Sequence, residues 1–286
     1  MNRVLVFGAS GFIGQSLLPR LNHNVTAISR AKIMDDTKTI KWCTGDLTKE
    51  STKLPHNLIQ HASVAYYLGP VFSNGLLVAK NAVKIAEESN VKRLIMISLL
   101  GSHVHSSDPW HQSNYESELI AINSAIPEVV IVRVPLLVSR TNTDSKFEVY
   151  MKGLMNLPLI YPVLRSKDKC SLAAVEDLAI YLSKLHNAEI SDPRNIVDFA
   201  TTQFSMAAIF SKVKIIHCKK KKLGLGSFLG AILAKAIDFF TDKRGDRIKT
   251  RQMIQHIIAS RPENDVPPGV PKPRLYKSVE DVYTGA

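Results

Sequence analysis

A doubly wound α/β architecture, a parallel sheet followed by a smaller C-terminal lobe, is predicted by three features of the chain. An apolar run from Val4 to Phe7 stops at a glycine-rich turn and restarts with helical spacing at Phe12, Ile13, Leu17, Leu18 and Leu21. Strand-like and helix-like segments then alternate with short connections to about residue 135. Beyond that point the alternation becomes irregular, and the composition later shifts toward Lys and Pro.

The elements follow in order. Asn24 to Ser29 reads as a second strand and Thr39 to Cys43 as a third, leading into Thr44-Gly45-Asp46-Leu47. Ser63 to Leu68 has the aromatic and β-branched content of a fourth strand and stops at Gly69-Pro70. Leu76 to Glu88 has helical spacing, Arg93 to Ser98 reads as a fifth strand, Gln112 to Ser124 as a helix and Val129 to Arg133 as a sixth strand. Such alternation implies right-handed βαβ crossovers, with binding expected at the C-terminal strand ends: Gly8, Arg30, Asp46, Gly69 and Ser98. In the second half, Phe147 to Leu154 and Val175 to Leu185 are expected helices, and Cys170 to Ala173 and Asn195 to Phe199 expected strands. The predicted organisation is a core over 1–135, to which strand 195–199 can return, and a smaller lobe over 136–286. That lobe includes a basic amphipathic segment, 212–261, and a Pro-rich tail, 262–286.

The turn after the first strand carries Gly8, Gly11 and Gly14 at Gly-x-x-Gly-x-x-Gly spacing. Gly8 suits a tight turn, Gly11 a close backbone approach to a pyrophosphate, and Gly14 a helix seated close on the strand. The helix beginning there presents unpaired N–H groups and a positive dipole end to an anion, so Gly8, Ala9, Ser10, Gly11, Phe12, Ile13 and Gly14 are candidate dinucleotide contacts. The end of the second strand selects the cofactor. An acidic residue there would hold the ribose hydroxyls of NAD, whereas Ser29 and Arg30, with Lys32 nearby, suit a 2′-phosphate. NADP(H) is therefore favoured over NAD(H), with a solvated loop cation as the other reading of Arg30.

Composition bounds the rest. With 286 residues, 45% apolar and 22% charged, the chain is ordinary for a folded protein and large enough for one core or a core with an appended lobe. Cys43, Cys170 and Cys218 lack metal-ligand spacing and read as free thiols in a reducing compartment. No h-region precedes the glycine turn, so a cytoplasmic location is expected. The formal net charge of +12 is concentrated in Lys212 to Arg261, with thirteen Lys/Arg against three Asp.

The glycine turn, Gly45-Asp46-Leu47, Tyr66-Tyr67-Leu68, Ile97-Ser98 and Arg133-Val134-Pro135 together resemble the extended and atypical short-chain dehydrogenase/reductases over about residues 1–200. Within that superfamily the chain is similar to NAD(P)H-binding proteins of the NmrA-like and complex I 39 kDa-subunit-like kind. Members of that group carry a later Ser-Phe-Glu and Leu-Pro; here Ser145-Lys146-Phe147-Glu148, with an inserted lysine, and Leu157-Pro158 correspond. The resemblance implies a Rossmann-type fold; alongside the strand-end residues Asp46, Gly69 and Ser98, the motif residues Leu47, Leu68, Val134 and Pro135 are candidate cofactor contacts.

The family's enzymes place Tyr-x-x-x-Lys at the start of the helix before strand six, where the lysine lowers the phenol pKa for proton transfer to a carbonyl. Aligned on Glu118, and on Ser124 before Arg133, this helix has Trp110 and Asn114 at those two positions. An indole and an amide do not relay protons. Tyr115 lies next to them, but the residue four further on is Leu119, and Ser98 is followed by Leu99 and Leu100 instead of a second serine. The remaining catalytic candidates are Ser98, Trp110, His111, Asn114 and Tyr115, with Asp108 or His111 as a replacement acid. His103 and His105 read as solvated rather than as metal ligands, and no metal is expected. Trp110, Tyr115, Leu99 and Leu100 can also line a cavity for a small apolar substrate.

Two functions are consistent with these residues. One is an NADPH-dependent oxidoreductase of a small or lipophilic carbonyl or enone; the other is a catalytically silent NADP(H)-binding redox sensor or membrane-associated accessory or assembly protein. The basic segment is open to several readings. Lys219 to Lys222 can be a solvated face with Leu223 to Phe240 packed on the small lobe, or 219–240 can make peripheral contact with an anionic membrane. Nucleic acid is not expected, for no binding motif accompanies the charge. The uninterrupted apolar core of that segment, Leu223 to Ala234, is short of the about 20 residues a spanning helix needs.

Overall fold

Apolar runs that end at turn-forming residues produce the strands. In this computed structural model, residues 3–31, 36–49, 52–69, 75–106, 108–141, 160–164, 169–199, 202–205, 208–209, 212, 221–225 and 266–285 are described. Lys32, Pro70, the Phe147–Leu154 helix, the Ser145–Glu148 and Leu157-Pro158 motifs, Cys218, Lys219, Lys220 and residues 226–261 lie outside them.

The chain divides into two compact units: 1–134 with 175–199 and 263–273, and 135–174 with 200–262 and 274–286. In the first unit β1 (Arg3–Phe7), β2 (Asn24–Ser29), β3 (Ile40–Thr44), β4 (Ala62–Tyr67), β5 (Arg93–Leu99) and β6 (Glu128–Val134) alternate with α1 (Phe12–Leu17), α2 (His56–Ile59), α3 (Gly75–Glu88) and α4 (Pro109–Ile122). The seventh strand, Arg194–Asp198, adds beyond β6. Every pairing is parallel, and the spatial order from that seventh strand is followed by β6, β5, β4, β1, β2 and β3. The order reverses between β1 and β4, which places a crevice at the C-terminal end of β1. The α/β fold class predicted from the sequence is the one observed.

Alternation along the buried strands divides the side chains between two layers. Leu5, Phe7, Ala65, Tyr67, Leu94, Met96 and Ile131 pack with Val78, Ala79, Ala82 and Val83 of α3. Helix α4 begins at Pro109, three residues before the sequence expectation, because the Asp108 side chain accepts from Trp110 N–H at 2.9 Å and proline suits the first helical position. Its buried face is His111, Asn114, Ser117, Glu118 and Ala121. Hydrophobic periodicity does not reveal such a face, because most of it is polar.

In the second unit β7 (Leu136–Val138) pairs in parallel with β9 (Lys169–Ala174), which pairs antiparallel with β11 (Gln203–Ser205). Strand β8 (Ile160–Leu164) pairs in parallel with β12 (Lys221–Leu225), so the start of the apolar segment is extended here. Helix α5 (Val175–Leu185) follows β9 and belongs to the first unit, as does β10 (Arg194–Asp198), the seventh strand of the large sheet. The last helix, α6 (Val279–Thr284), is not among the expected elements. Ser278 and Asp281 form a reciprocal capping box and Gly285 closes it at φ 77°. The signal was present as Ser-x-x-Asp before an apolar pair, after a tail dominated by proline. Among the described residues no helix is long and apolar enough to cross a membrane.

Candidate functional site

The turn after β1 is gripped by its two neighbouring strands. Gly8 N–H and Ala9 N–H both donate to Ile28 O of β2, at 3.1 and 3.2 Å, and Leu68 N–H donates to Phe7 O at 2.9 Å. Gly8 adopts φ 83°, and a Cβ there would stand 2.8 Å from Leu68 O, so both conformation and crowding require glycine. A Cβ at Gly14 would stand 2.7 Å from Gly8 O and from the carbonyl carbon of Ala9. The helix therefore rests directly on the backbone of the turn.

That close seating leaves the start of α1 open. Gly11 N–H turns back to Gly8 O at 2.9 Å, and the first intrahelical bond runs from Gln15 N–H to Gly11 O. The N–H groups of Phe12, Ile13 and Gly14 precede that bond and have no acceptor within the helix. Gly11, the N-cap, supplies no side-chain acceptor, and the first turn carries no acidic residue. Gln15 Nε2 is directed to Ser10 O at 2.9 Å. The helix end thus lacks the internal anion that would compete with a phosphate.

Around this turn stand the ends of three other strands. Ser29 is buried; its hydroxyl donates to Ala31 O and its carbonyl accepts from Gly45 N–H at 2.9 Å. Arg30 is exposed beside it. On the loop after β3, Asp46 accepts from the hydroxyl and N–H of Thr48 at 2.7 and 3.1 Å. These bonds hold its carboxyl below the usual range, with smaller contributions from Lys49 and Arg30. Leu47 is buried and its carbonyl accepts from Asn81 of α3 at 2.8 Å. Leu68 is buried, and Gly69 faces the ring of Tyr67, whose hydroxyl donates to Gly75 O at 3.2 Å. Gly8–Gly14, Ser29, Arg30, Asp46, Leu47, Leu68 and Gly69 are thereby brought to one end of the sheet.

Of the catalytic candidates, Ser98 lies at the end of β5, and Trp110, His111, Asn114 and Tyr115 lie in the first half of α4. Ser98 is fully buried and its hydroxyl is 3.3 Å from that of Ser102 and hydrogen-bonded to Glu118. Glu118 in turn receives Arg133 in a bidentate pair, Nε to Oε1 at 2.9 Å and Nη2 to Oε2 at 2.7 Å. Ser98, Arg133 and Asp198 are register partners across β5, β6 and β10, and all are buried. Burial pushes the Glu118 carboxyl upward against the opposing pull of Arg133 and Ser98, and Asp198 pushes it further. In the sequence Glu118 stands only as an alignment anchor and Arg133 as a strand end and motif residue, and neither suggests the pair. The missed signal is a cation ending the apolar run Val129–Val132, since a buried guanidinium requires a counterion.

At the start of α4, Asn114 is buried and its side chain donates to Trp110 O at 2.8 Å, while Trp110 is half-buried. His111 is fully buried, with Nδ1 3.7 Å from Asp108 Oδ2. Burial pushes its pKa down, Asp108 opposes that, and Arg133 reinforces it. Tyr115 is half-buried, its ring 6.4 Å from that of His103, whose Nδ1 accepts from His105 N–H at 3.1 Å. No group of three or more potential metal ligands occurs among the described residues. Val134 ends the first unit and Pro135 begins the second.

Residues 8–144 match a family model described as NAD(P)H-binding. No curated protein matches the chain. Solved structures with a similar fold include gox2253, at TM-score 0.66 and 14% identity over 99% of this chain and 96% of that one. The enzyme WbmH of Bordetella bronchiseptica, in complex with NAD+, aligns at TM-score 0.60 and 15% identity, covering 79% and 86%. A UDP-glucuronic acid 4-epimerase mutant from Bacillus cereus, in complex with a UDP-sugar and NAD, aligns at TM-score 0.58 and 17% identity, covering 78% and 86%. At these identities the structural likeness concerns the fold. The NAD(P)H-binding match begins at the glycine turn and extends past β6, and the chain shares its fold with these solved structures.

Proposed function

We propose that the chain binds NADP(H) at the glycine turn and holds it without a tyrosine–lysine proton relay, as a redox sensor or accessory protein. The uncapped start of α1 carries the binding half of this reading. The pyrophosphate would accept from the N–H groups that the turn leaves open, and Arg30 would meet the 2′-phosphate. The silent half rests on α4. The amide of Asn114 is committed to its own helix, and the Ser98 hydroxyl is committed to Glu118.

Arg30→Ala is expected to weaken NADPH binding by roughly 10- to 100-fold, the range of one charge-assisted phosphate contact, and to change NADH binding far less. Titration of both cofactors by fluorescence reads this directly. Equal losses for the two would refute the NADP(H) assignment.

One observation favours a second reading, an NADPH-dependent oxidoreductase of a small or lipophilic carbonyl or enone. Asp108 Oδ2 and the His111 imidazole lie 3.7 Å apart near the aligned position of the missing tyrosine, where a replacement acid would stand. Single-turnover mixing of bound NADPH with ketones, quinones and enones separates the two. Oxidation of the cofactor at 340 nm rejects the silent reading, and tight binding with no oxidation across the panel rejects the second. Contact of 219–240 with an anionic membrane belongs to the accessory reading. Sedimentation with phosphatidylserine vesicles tests it, and it predicts loss of binding at high salt.

A further inference from the structure

On the sheet face opposite α3, helix α5 packs against α1, the helix that begins at the glycine turn. Tyr66 points to that face, since Ala65 and Tyr67 on either side of it belong to the α3 layer. At the end of α5, the buried His186 ring stacks on that of His23, with centroids 4.1 Å apart and an interplanar angle of 20°. His23 immediately precedes β2. The stack therefore joins the end of α5 to the strand whose far end grips Gly8 and Ala9.

The surrounding groups are set for a neutral His186 ring. The Tyr66 hydroxyl donates its single proton to Leu182 O at 3.1 Å, so in the 3.4 Å contact between Tyr66 Oη and His186 Nδ1 the imidazole is the donor. Protonation must then occur at Nε2. Arg93 of β5 caps the end of α5, donating to Leu185 O at 2.7 Å, His186 O at 3.1 Å and Ala188 O at 2.7 Å. The carboxylate of Glu128, on β6, is already paired with that guanidinium. Of the other charged groups on the adjoining elements, Arg20 is directed to Ser16 O, Lys184 and Glu189 are exposed, and Glu176 and Asp177 lie in the first turn of α5, at the end opposite His186. Lys272 lies on the segment whose Gly269 abuts Glu189 O, and α1 has no charged side chain. An imidazolium in this stack would face a guanidinium and a second imidazole.

We propose that the His23–His186 stack is an acid-sensitive latch that holds α5 against α1, and that its opening lowers dinucleotide affinity. The regulatory half rests on dinucleotide binding at the glycine turn. Burial pushes His186 down to about 4, with His23 and Arg93 adding to the effect. Its folded pKa is below the unfolded one. The latch's stabilisation is therefore complete above about pH 6.5 and is lost progressively as pH falls toward 4. Between pH 7.5 and 5.5 the open state gains roughly tenfold.

Hydrogen exchange on the full chain reads the latch without a ligand. Protection of the amides at 182–188, corrected for intrinsic exchange rates, is expected to fall roughly tenfold from pH 7.5 to 5.5. His186→Phe keeps a stacking ring without the titrating nitrogen, and His23→Phe isolates the other partner. Unchanged protection in the wild type, or an equal fall in His186→Phe, overturns the latch. Titration with NADH in parallel tests the regulation, because the 2′-phosphate of NADPH itself titrates near pH 6. Affinity that falls with acid in the wild type and holds in His186→Phe supports the proposal, and a pH-independent affinity beside an opening latch overturns its regulatory half. Absence of nucleotide binding at either pH refutes the dinucleotide reading and with it the regulatory half, while the exchange result stands separately for the latch.

Discussion

Arg133→Met is expected to destabilise the first unit by about 3–5 kcal/mol, the cost of leaving a buried carboxylate without its cation. Glu118 is 1% exposed and makes two hydrogen bonds with Arg133, while Asp198, on the neighbouring strand, adds negative charge. Truncating the guanidinium removes the favourable pairing and leaves the desolvation penalty. Urea denaturation at neutral pH should show the lower midpoint. The sign of the pH dependence checks the cause. Without Arg133 the Glu118 carboxyl is raised further, so its ionisation opposes folding more at higher pH and the deficit narrows as pH falls and Glu118 takes up a proton. Glu118→Leu combined with Arg133→Met removes both charges and should recover most of the loss. A single variant that is as stable as wild type at pH 8 would show that the pair carries no such penalty.

Gly14→Ala is expected to reduce dinucleotide affinity by more than about tenfold, with a stability loss of about 1–3 kcal/mol from overpacking. The added methyl would meet the backbone at Gly8 O and Ala9, which no side-chain rotamer can relieve. Helix and turn must separate, and the N–H groups at the start of α1 then leave the position that an anion would share. Gly11→Ala is the control for stability. There φ is −78°, and the added Cβ would approach Gly8 O at 3.2 Å, so a small adjustment accommodates it. Thermal melts and NADPH titration of both variants separate the effects. Equal stability losses would mean that the seating of the helix on the turn is not the crowded contact described above.

The central strands were legible because a buried parallel strand leaves an apolar run that ends at a turn, whereas the edge strands β3 and β10 carry charged residues. Asn24–Ser29 and Val175–Leu185 have the expected limits, and the other strands of the large sheet differ by a residue or two. The glycine turn was legible for a related reason: tight backbone geometry restricts the residue type at a position. The polar layer beneath α4 was not. His111, Asn114, Ser117 and Glu118 present no apolar stripe; Asn114 and Ser117 are satisfied by carbonyls of their own helix, whereas Glu118 is met by Arg133 and Ser98 from neighbouring strands. The capping of α6 by Ser278 and Asp281 was readable locally but was masked by the preceding prolines.

Residue order by itself determined the alternating fold, the anion-ready turn and the substitution of Trp110 and Asn114 at the aligned dyad positions, because each depends on neighbours within a few residues. Tertiary structure alone decided what the ionisable side chains do. Ser98 faces Glu118, Arg133 is matched across the sheet by Asp198, and His23 meets His186 from the far end of the chain's α/β core. The protonation and pairing of such groups depend on desolvation and on charges distant in sequence, and only folding brings those together.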